Sequence, residues 1–478
     1  MRIKWILCLF DHHKSMDMRL KNIRLLLTTL FLSLFSINLF AQPLTDYLAV
    51  KEPLYEWKLI DKEATPDGTA YFIHFASQTW LSGKEVDRTL WRHWMVIYVP
   101  NRLREKTALL YISGGDNKDE YKTLYQEKWF EFAKQSGAVV AELFNIPNQP
   151  LIFKNDPAHQ ERTEDEILSF GWAQFYKTNN PEWLPHLPMV KSTVKAMDVI
   201  ESFCADKTKR RCPVTQFILS GKSKRGWTTW LTATQDKRVV GIAPMVFDVL
   251  NFGAHLQHQL VSFGDFSPAL RPYQDQGILQ TRDSVEFNNT LKIIDPFSYL
   301  DKLTLPKMII NATGDRFFPP DSSQFYWPAL KGTKHLRYIP NTDHALDESA
   351  YMSILSFFQS VTHHRPLPEL TWQKEADCIK WKTNTAPLKT TLWKAENNKR
   401  DFRIQSSATW KNFPLEVTTK EQDGLFSYAY CLNDGKKTTL YEANMIELQF
   451  ENKEDLQHPI ILTTEVYVTS PKTPLNSN

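Results

Sequence analysis

The chain predicts an α/β fold: a mostly parallel sheet flanked by helices, with a helical insertion, then a small β-sandwich of immunoglobulin or fibronectin type. Three observations carry this. Between residues 91 and 361 short apolar runs alternate with segments of helical period, the pattern of βα units. That rhythm lapses over 249–294 and then resumes. Past Pro366 it gives way to short alternating strands with polar turns between them. With 478 residues, 42% of them hydrophobic and 23% charged, the chain can bury sizeable cores and is not a disordered sequence.

Residues 1–41 read as a secretory signal peptide. Arg19, Lys21 and Arg24 precede the apolar run LLLTTLFLSLFSINLF, and Ala41 supplies a small residue for cleavage before Gln42. The true start is then Met16 or Met18, and the alternative is an uncleaved anchor. No later apolar run reaches about 18 residues, so no stable membrane insertion is expected after cleavage. A larger domain is expected over 42–365, and a smaller one over 366–478 beyond the HHRPLPEL linker.

Within the larger domain, TAYFIHFASQTW, WRHWMVIYVP and TALLYISGG read as strands, and YKTLYQEKWFEFAKQSG as an amphipathic helix closed by Gly137. AVVAELF is a strand, and EDEILSFGWAQFYKT and MVKSTVKAMDVIESFCAD are helices. The strand TQFILS, the helix GWTTWLTATQD and the strand VVGIAPMVF lead into the insertion. After it come the strand PKMIINATG, a helix around SSQFYWPAL, the strand HLRYIP and a last helix near LDESAYMSILSFFQSV. TTLWKAE, DFRIQSS and TTEVYVTS read as strands of the sandwich.

The net charge of +3 and the single basic cluster KTKRR at 207–211 give no support for a nucleic-acid partner. Past the signal peptide there are four cysteines, which allow three pairings. Cys204 and Cys212 are close enough to close one short loop, leaving Cys378 with Cys431; four free thiols are the alternative. None has a C-x-x-C spacing.

The chemistry centres on Gly221-Lys222-Ser223-Lys224-Arg225-Gly226, at the end of the strand FILS. A strand-turn-helix elbow presenting a nucleophilic serine usually reads G-x-S-x-G. Here the second glycine is displaced by one. A serine hydroxyl needs a base to take its proton and a third group to orient that base. Asp315 follows the strand KMIIN and His344 follows LRYIP, which supplies the order Ser, Asp, His at the ends of parallel strands. Asp321, on the same loop, and Asp248, after the strand that follows the elbow helix, compete with Asp315 as the acid. The expected oxyanion donors are the backbone of Lys224 and that of Gly114 or Gly115 in SGGDN. His255 and His258 have i, i+3 spacing but no H-E-x-x-H pattern, and no phosphate-cradling glycine motif is present. Neither a metal nor a cofactor is expected.

The runs GKSKRGWTTWLTATQDKRVVGIAPMVFDVLN, DPFSYLDKLTLPKMIINATGDRFFPPDSSQFYW and LRYIPNTDHAL together resemble the PhoPQ-activated pathogenicity-related protein family. The resemblance implies an α/β-hydrolase fold and export from bacteria. It also implies Ser223 as nucleophile, Asp315 as acid and His344 as base. The elbow alone is similar to that of glucuronoyl esterases, and this implies a role for the Lys224 ammonium in holding an oxyanion or a substrate carboxylate.

Two readings follow. One is a secreted or periplasmic serine hydrolase acting on an ester or amide of a small molecule or peptide, with 249–294 as a lid. Trp172, Phe175, Tyr176, Trp227 and Trp230 then line an apolar pocket or belong to the core. The other is a non-catalytic secreted binding or signalling protein on the same scaffold, whose protein partner is not named by the sequence.

Overall fold

A computed structural model describes residues 42–205, 212–416, 420–422, 424–432 and 438–471. Residues 1–41, read above as a signal peptide, and the basic run 207–211 lie outside these residues. From Tyr47 onward the chain forms a single unit; of the segment before it, only 42–46 are described.

Among the described residues nine strands build the large sheet: Glu56–Thr65 (β1), Gly68–Thr79 (β2), Leu90–Pro100 (β3), Thr107–Ile112 (β4), Val140–Leu143 (β5), Gln216–Lys222 (β6), Val239–Met245 (β7), Lys307–Ala312 (β8) and Lys334–Ile339 (β9). They pair in the order β1-β2-β3-β5-β4-β6-β7-β8-β9. Pairings from β1 to β5 through β2 and β3 are antiparallel, and those from β5 to β9 are parallel. β4 and β8 are buried along their whole length, as apolar parallel strands covered on both faces must be. The flanking helices are Glu127–Ser136 (α1), Glu164–Thr178 (α2), His186–Ala205 (α3), Lys224–Ala233 (α4) and Ser349–Thr362 in the last position before the linker. This is the α/β-hydrolase arrangement, and it places β6, the strand before Ser223, at the middle of the parallel region.

The insertion between β7 and β8 folds as Phe252–Phe263 (α5), Arg271–Asp275 (α6) and Val285–Ile294 (α7), linked by short 3-10 turns. The last helix, Ser349–Thr362, is α8, and it packs against α1, while α3 packs against α4.

Beyond the linker come Leu370–Glu375 (β10), Cys378–Thr383 (β11), Lys389–Asn397 (β12), Lys411–Pro414 (β13), Lys420–Gln422 (β14), Leu425–Cys431 (β15), Tyr441–Phe450 (β16), Ile460–Thr463 (β17) and Tyr467–Thr469 (β18). They form two antiparallel sheets, β10-β11-β15-β14 and β13-β12-β16-β17, with β18 also on β16. Trp381 and Tyr428 of one sheet share a buried cluster with Leu392, Ile446 and Leu448 of the other. β17 lies against β9, where the Tyr338 N–H donates to Thr463 Oγ1 at 3.0 Å. Both expected disulfides are present: Cys204–Cys212, and Cys378–Cys431 across the directly paired strands β11 and β15. Among the described residues no helix is long and apolar enough to cross a membrane.

Three local expectations are corrected and one strand is added. β1 was not anticipated, because EWKLIDKEAT carries charges along an exposed edge and so lacks an apolar face. The helix expected from Tyr121 starts only at Glu127, since the Tyr98 hydroxyl accepts the Gln126 N–H at 2.9 Å and holds the approach to α1. SSQFYWPAL forms two 3-10 turns rather than a helix, because Pro328 lacks an N–H and Tyr326 is drawn inward to Asp248. DFRIQSS is no strand: it holds a 3-10 turn at Ile404–Ser406, and the Ile404 N–H donates to Gly314 O at 3.0 Å.

Candidate active site

Ser223 sits between β6 and α4 at φ 58° and ψ −128°, a left-handed region that non-glycine residues seldom occupy. Its N–H donates to Met245 O at 2.9 Å, and its carbonyl accepts from the Trp227 N–H at 3.0 Å. A turn this tight brings strand and helix together. A Cβ on Gly221 would lie 2.8 Å from the Arg225 carbonyl oxygen, and one on Gly226 would lie 3.0 Å from Met245 O. The displaced glycine is therefore the residue that faces β7. Arg225 has room because its side chain turns the other way, over Gly114.

That side chain enters an ion cluster. The Arg225 guanidinium donates to both oxygens of Glu164 at 2.6 and 2.7 Å. Lys224 Nζ lies 2.7 Å from Glu164 and 3.1 Å from Asp165. Glu164 is itself at φ 51°, with its N–H on Gln149 Oε1. Burial pushes the Glu164 carboxyl up, but the adjacent Arg225 and Lys224 outweigh it and hold the group far below the usual carboxylate range. Two cations and two anions thus close on one another at the start of α4. The Lys224 ammonium, the candidate for holding an oxyanion or a substrate carboxylate, is here paired with Glu164 and Asp165. The Lys224 backbone N–H remains suited to an oxyanion, because the first N–H groups of a helix have no intrahelical acceptor.

Asp315 and His344 meet, with Asp315 Oδ2 at 2.8 Å from His344 Nδ1. Asp315 is buried, and its other oxygen accepts the Phe317 N–H at 2.7 Å. Phe317 also packs on the imidazole, with ring centroids 4.4 Å apart. Asp343 fixes the same loop by accepting the His344 N–H at 2.7 Å and pairing with Arg316. Lys222 Nζ reaches the Ala345 carbonyl, tying the elbow to the histidine loop. His344 Nε2 is buried without a hydrogen-bond partner, so no bond to Ser223 is formed. Both residues nevertheless line one open cleft of ≈ 670 Å³, along with Gly114 and Arg316. Gly115 does not line it and sits at φ 145° against Asp119 and Asn145.

The competing acids are engaged elsewhere. Asp248 accepts from the hydroxyls of Tyr326 at 2.5 Å and Tyr338 at 2.6 Å, and burial pushes its carboxyl up to about 8. Asp321 lies 2.8 Å from His258 Nε2 and pairs with Arg400. Burial raises its pKa, but His258 and Arg400 outweigh this and hold it low. His255 is buried, and its pKa is pushed down to about 3 by that burial. Among the described residues no group of three or more His, Cys, Asp or Glu side chains could hold a metal ion.

A second space opens from Ser223 under the insertion. It is narrow, ≈ 60 Å³, and lined mainly by apolar side chains, among them Trp172, Trp227, Leu256, Leu279 and Phe287. Of the anticipated aromatic residues, Trp172 and Trp227 face it, whereas Phe175, Tyr176 and Trp230 do not, and Trp230 is wholly buried.

Residues 44–403 match the PhoPQ-activated pathogenicity-related protein family. The chain belongs to that family. It is 35% identical over 398 residues to autocrine proliferation repressor protein A of Dictyostelium discoideum, covering 79% of each chain. Among solved structures it is similar to an acetyl xylan esterase from Paenibacillus sp. R4, at 14% identity and a TM-score of 0.48, over 68% of this chain and 93% of that one. A glucuronoyl esterase from Solibacter usitatus is similar at 12% identity and a TM-score of 0.41, over 68% of this chain and 92% of that one. The fold assignment rests on the strand order rather than on these distant likenesses.

In this family member the residues that sequence reasoning missed are the partners. Glu164 and Asp165 open α2 ahead of Glu166, whose side chain accepts the Thr163 N–H in a capping box. That box marks a helix start, but nothing near it in sequence indicates that Arg225 and Lys224 will face it. Arg400 likewise reaches Asp321 from the far side of the linker.

Proposed function

We propose that this protein is an exported serine hydrolase that cleaves an ester or amide through an acyl-enzyme on Ser223. The observation that carries the reading is the Asp315–His344 pair at 2.8 Å, with the second imidazole nitrogen buried and unpartnered and with His344 and Ser223 lining one cleft. Catalytic hydrogen bonds are often long or unmade before substrate binds. In the reaction, Ser223 Oγ attacks the carbonyl carbon while His344 Nε2 takes its proton, and Asp315 holds the ring and offsets the imidazolium charge. The backbone N–H groups of Lys224 and Gly114 receive the oxyanion. The proton passes from His344 to the leaving group, and water repeats the sequence to release the acid. The catalytic part is 42–365 with its insertion at 249–294, and 366–478 is an accessory domain. Export is supported by the signal-like N-terminus and by the two disulfides, which persist in oxidising compartments.

Fluorophosphonate labelling tests this. Covalent modification of Ser223 that disappears in Ser223→Ala is the expected result. A folded protein left unlabelled, with no turnover on an ester and peptide panel, favours the second reading of a non-catalytic signalling protein. The name of the Dictyostelium relative, a proliferation repressor, is what recommends that alternative.

A further inference from the structure

The two spaces that meet at Ser223 differ in kind. One is the open cleft of ≈ 670 Å³, whose walls include Lys222, Glu164 and Arg316. The other is the ≈ 60 Å³ recess under the insertion. Resting on the hydrolase reading above, we infer that the recess is the acyl site and takes a compact, uncharged, apolar acyl group, while the leaving group lies in the polar cleft.

Three observations carry this. The first is composition. The recess is walled by Trp172, Trp227, Leu256, Leu279 and Phe287, and the insertion helices α5 and α7 supply Leu256 and Phe287. The second is charge. The ionised groups that border it are Lys224 and Asp165, which lie 3.1 Å apart, and Asp165 also accepts the Tyr273 hydroxyl at 3.0 Å. Being matched to each other, they leave no counter-ion for a charged acyl group, whose burial would go uncompensated. The third is size. One ordered water needs about 10–15 Å³ of such space, so the recess admits roughly four to six heavy atoms. Counted with the carbonyl carbon at its mouth, an acyl chain of butyryl to hexanoyl length fills it. A longer chain exceeds this space, and an acetyl group leaves apolar wall unfilled.

Only one end of a substrate fits. With the carbonyl carbon at Ser223 Oγ, the acyl substituent enters the recess and the bond that breaks points toward the cleft. There Arg316 and Lys222 meet solvent, so a polar alcohol or amine is the leaving group. Acylation forms the Ser223–acyl ester and releases that group with the proton from His344; hydrolysis consumes one water.

The test is a series of p-nitrophenyl esters from acetate to decanoate, read as kcat/KM on the full mature chain. The expected profile peaks between butyrate and hexanoate and falls by about tenfold or more at acetate and at decanoate. Two variants move it in opposite directions. Leu279→Trp fills the recess and shifts the optimum to acetate, whereas Leu256→Ala enlarges it and shifts the optimum toward octanoate. Fluorophosphonate labelling of Ser223 in each variant shows that the fold and nucleophile survive. A flat or monotonic profile in protein whose Ser223 labels normally overturns the acyl-site assignment alone, as does an optimum that neither variant moves. Absence of both labelling and turnover overturns the hydrolase reading, and this inference with it.

Discussion

The loop after β8 carries two aspartate–histidine pairs six residues apart, and they have opposite surroundings. Asp315 meets His344 at 2.8 Å, and the far nitrogen of that ring is left without a partner beside the cleft. Asp321 meets His258 at the same 2.8 Å, but Arg400 from beyond the linker takes the other oxygen and also bonds Ser262. The first pair keeps an open edge, the unpartnered Nε2 of a histidine that lines the same cleft as Ser223. The second is a closed knot joining the acid loop, α5 of the insertion and the C-terminal region. The contrast teaches that an Asp–His contact is not in itself catalytic machinery; what the remaining edges of the pair touch decides its use.

The strap that closes the second pair continues along the first. The Arg403 guanidinium lies 3.8 Å from the Phe263 ring centroid at the end of α5. Ile404 bonds Gly314, the neighbour of Asp315. Asn341, three residues before His344, exchanges hydrogen bonds of 2.8 and 2.9 Å with the Trp410 backbone. Residues 400–410 thus brace both loops of the open pair from behind.

Exchanging chemistry between the pairs gives the sharpest separation. Asp315→Asn keeps an acceptor for the Phe317 N–H but loses the charge opposite His344. Steady-state kinetics should show kcat lowered by about 10³–10⁴-fold, with the urea midpoint almost unchanged. Asp321→Asn should do the reverse. It strands the Arg400 guanidinium and costs about 3–5 kcal/mol in urea unfolding, while kcat, measured well below the lowered melting temperature, moves only a few-fold. A large kcat loss in Asp321→Asn at full stability would break the comparison.

Asp248 supplies a pH-dependent effect that is smaller per pH unit. Its pKa is about 8 in the fold against an ordinary 3.8. Between those values the folded state keeps a proton that the unfolded state has released, so stability falls as pH rises, by about 1.4 kcal/mol per pH unit. Asp248→Asn should flatten that slope in unfolding curves taken from pH 4 to 8. Glu164→Gln is expected to have the least effect, about 1 kcal/mol, because its side chain is 39% exposed and its ion pairs are partly screened. Thermal unfolding at low and high salt would measure it, with the difference shrinking as salt rises.

Much of this site was legible because each of Ser223, Asp315 and His344 follows a buried parallel strand whose apolar run is visible in the sequence. The elbow glycines carried a further signal, since Gly221 and Gly226 mark where backbone meets backbone. The acid could not be chosen among Asp248, Asp315 and Asp321 from spacing, because that choice depends on which distant group each loop turns toward. Glu164 and Arg225 are 61 residues apart, and Arg400 is 79 from Asp321. Such pairings are set by tertiary packing and leave no periodic trace. β1 and the 400–410 strap were missed for a related reason: one is a charged edge, the other an irregular segment held by the loops it covers.

The central claim is that the Asp315–His344 pair, and not Asp321–His258, activates Ser223. The rate of fluorophosphonate labelling at Ser223, compared in wild type, Asp315→Asn and Asp321→Asn at a temperature where all three are folded, tests it most directly. The account expects labelling slowed by at least about 100-fold in Asp315→Asn and near wild-type in Asp321→Asn. Equal labelling in wild type and Asp315→Asn would contradict it.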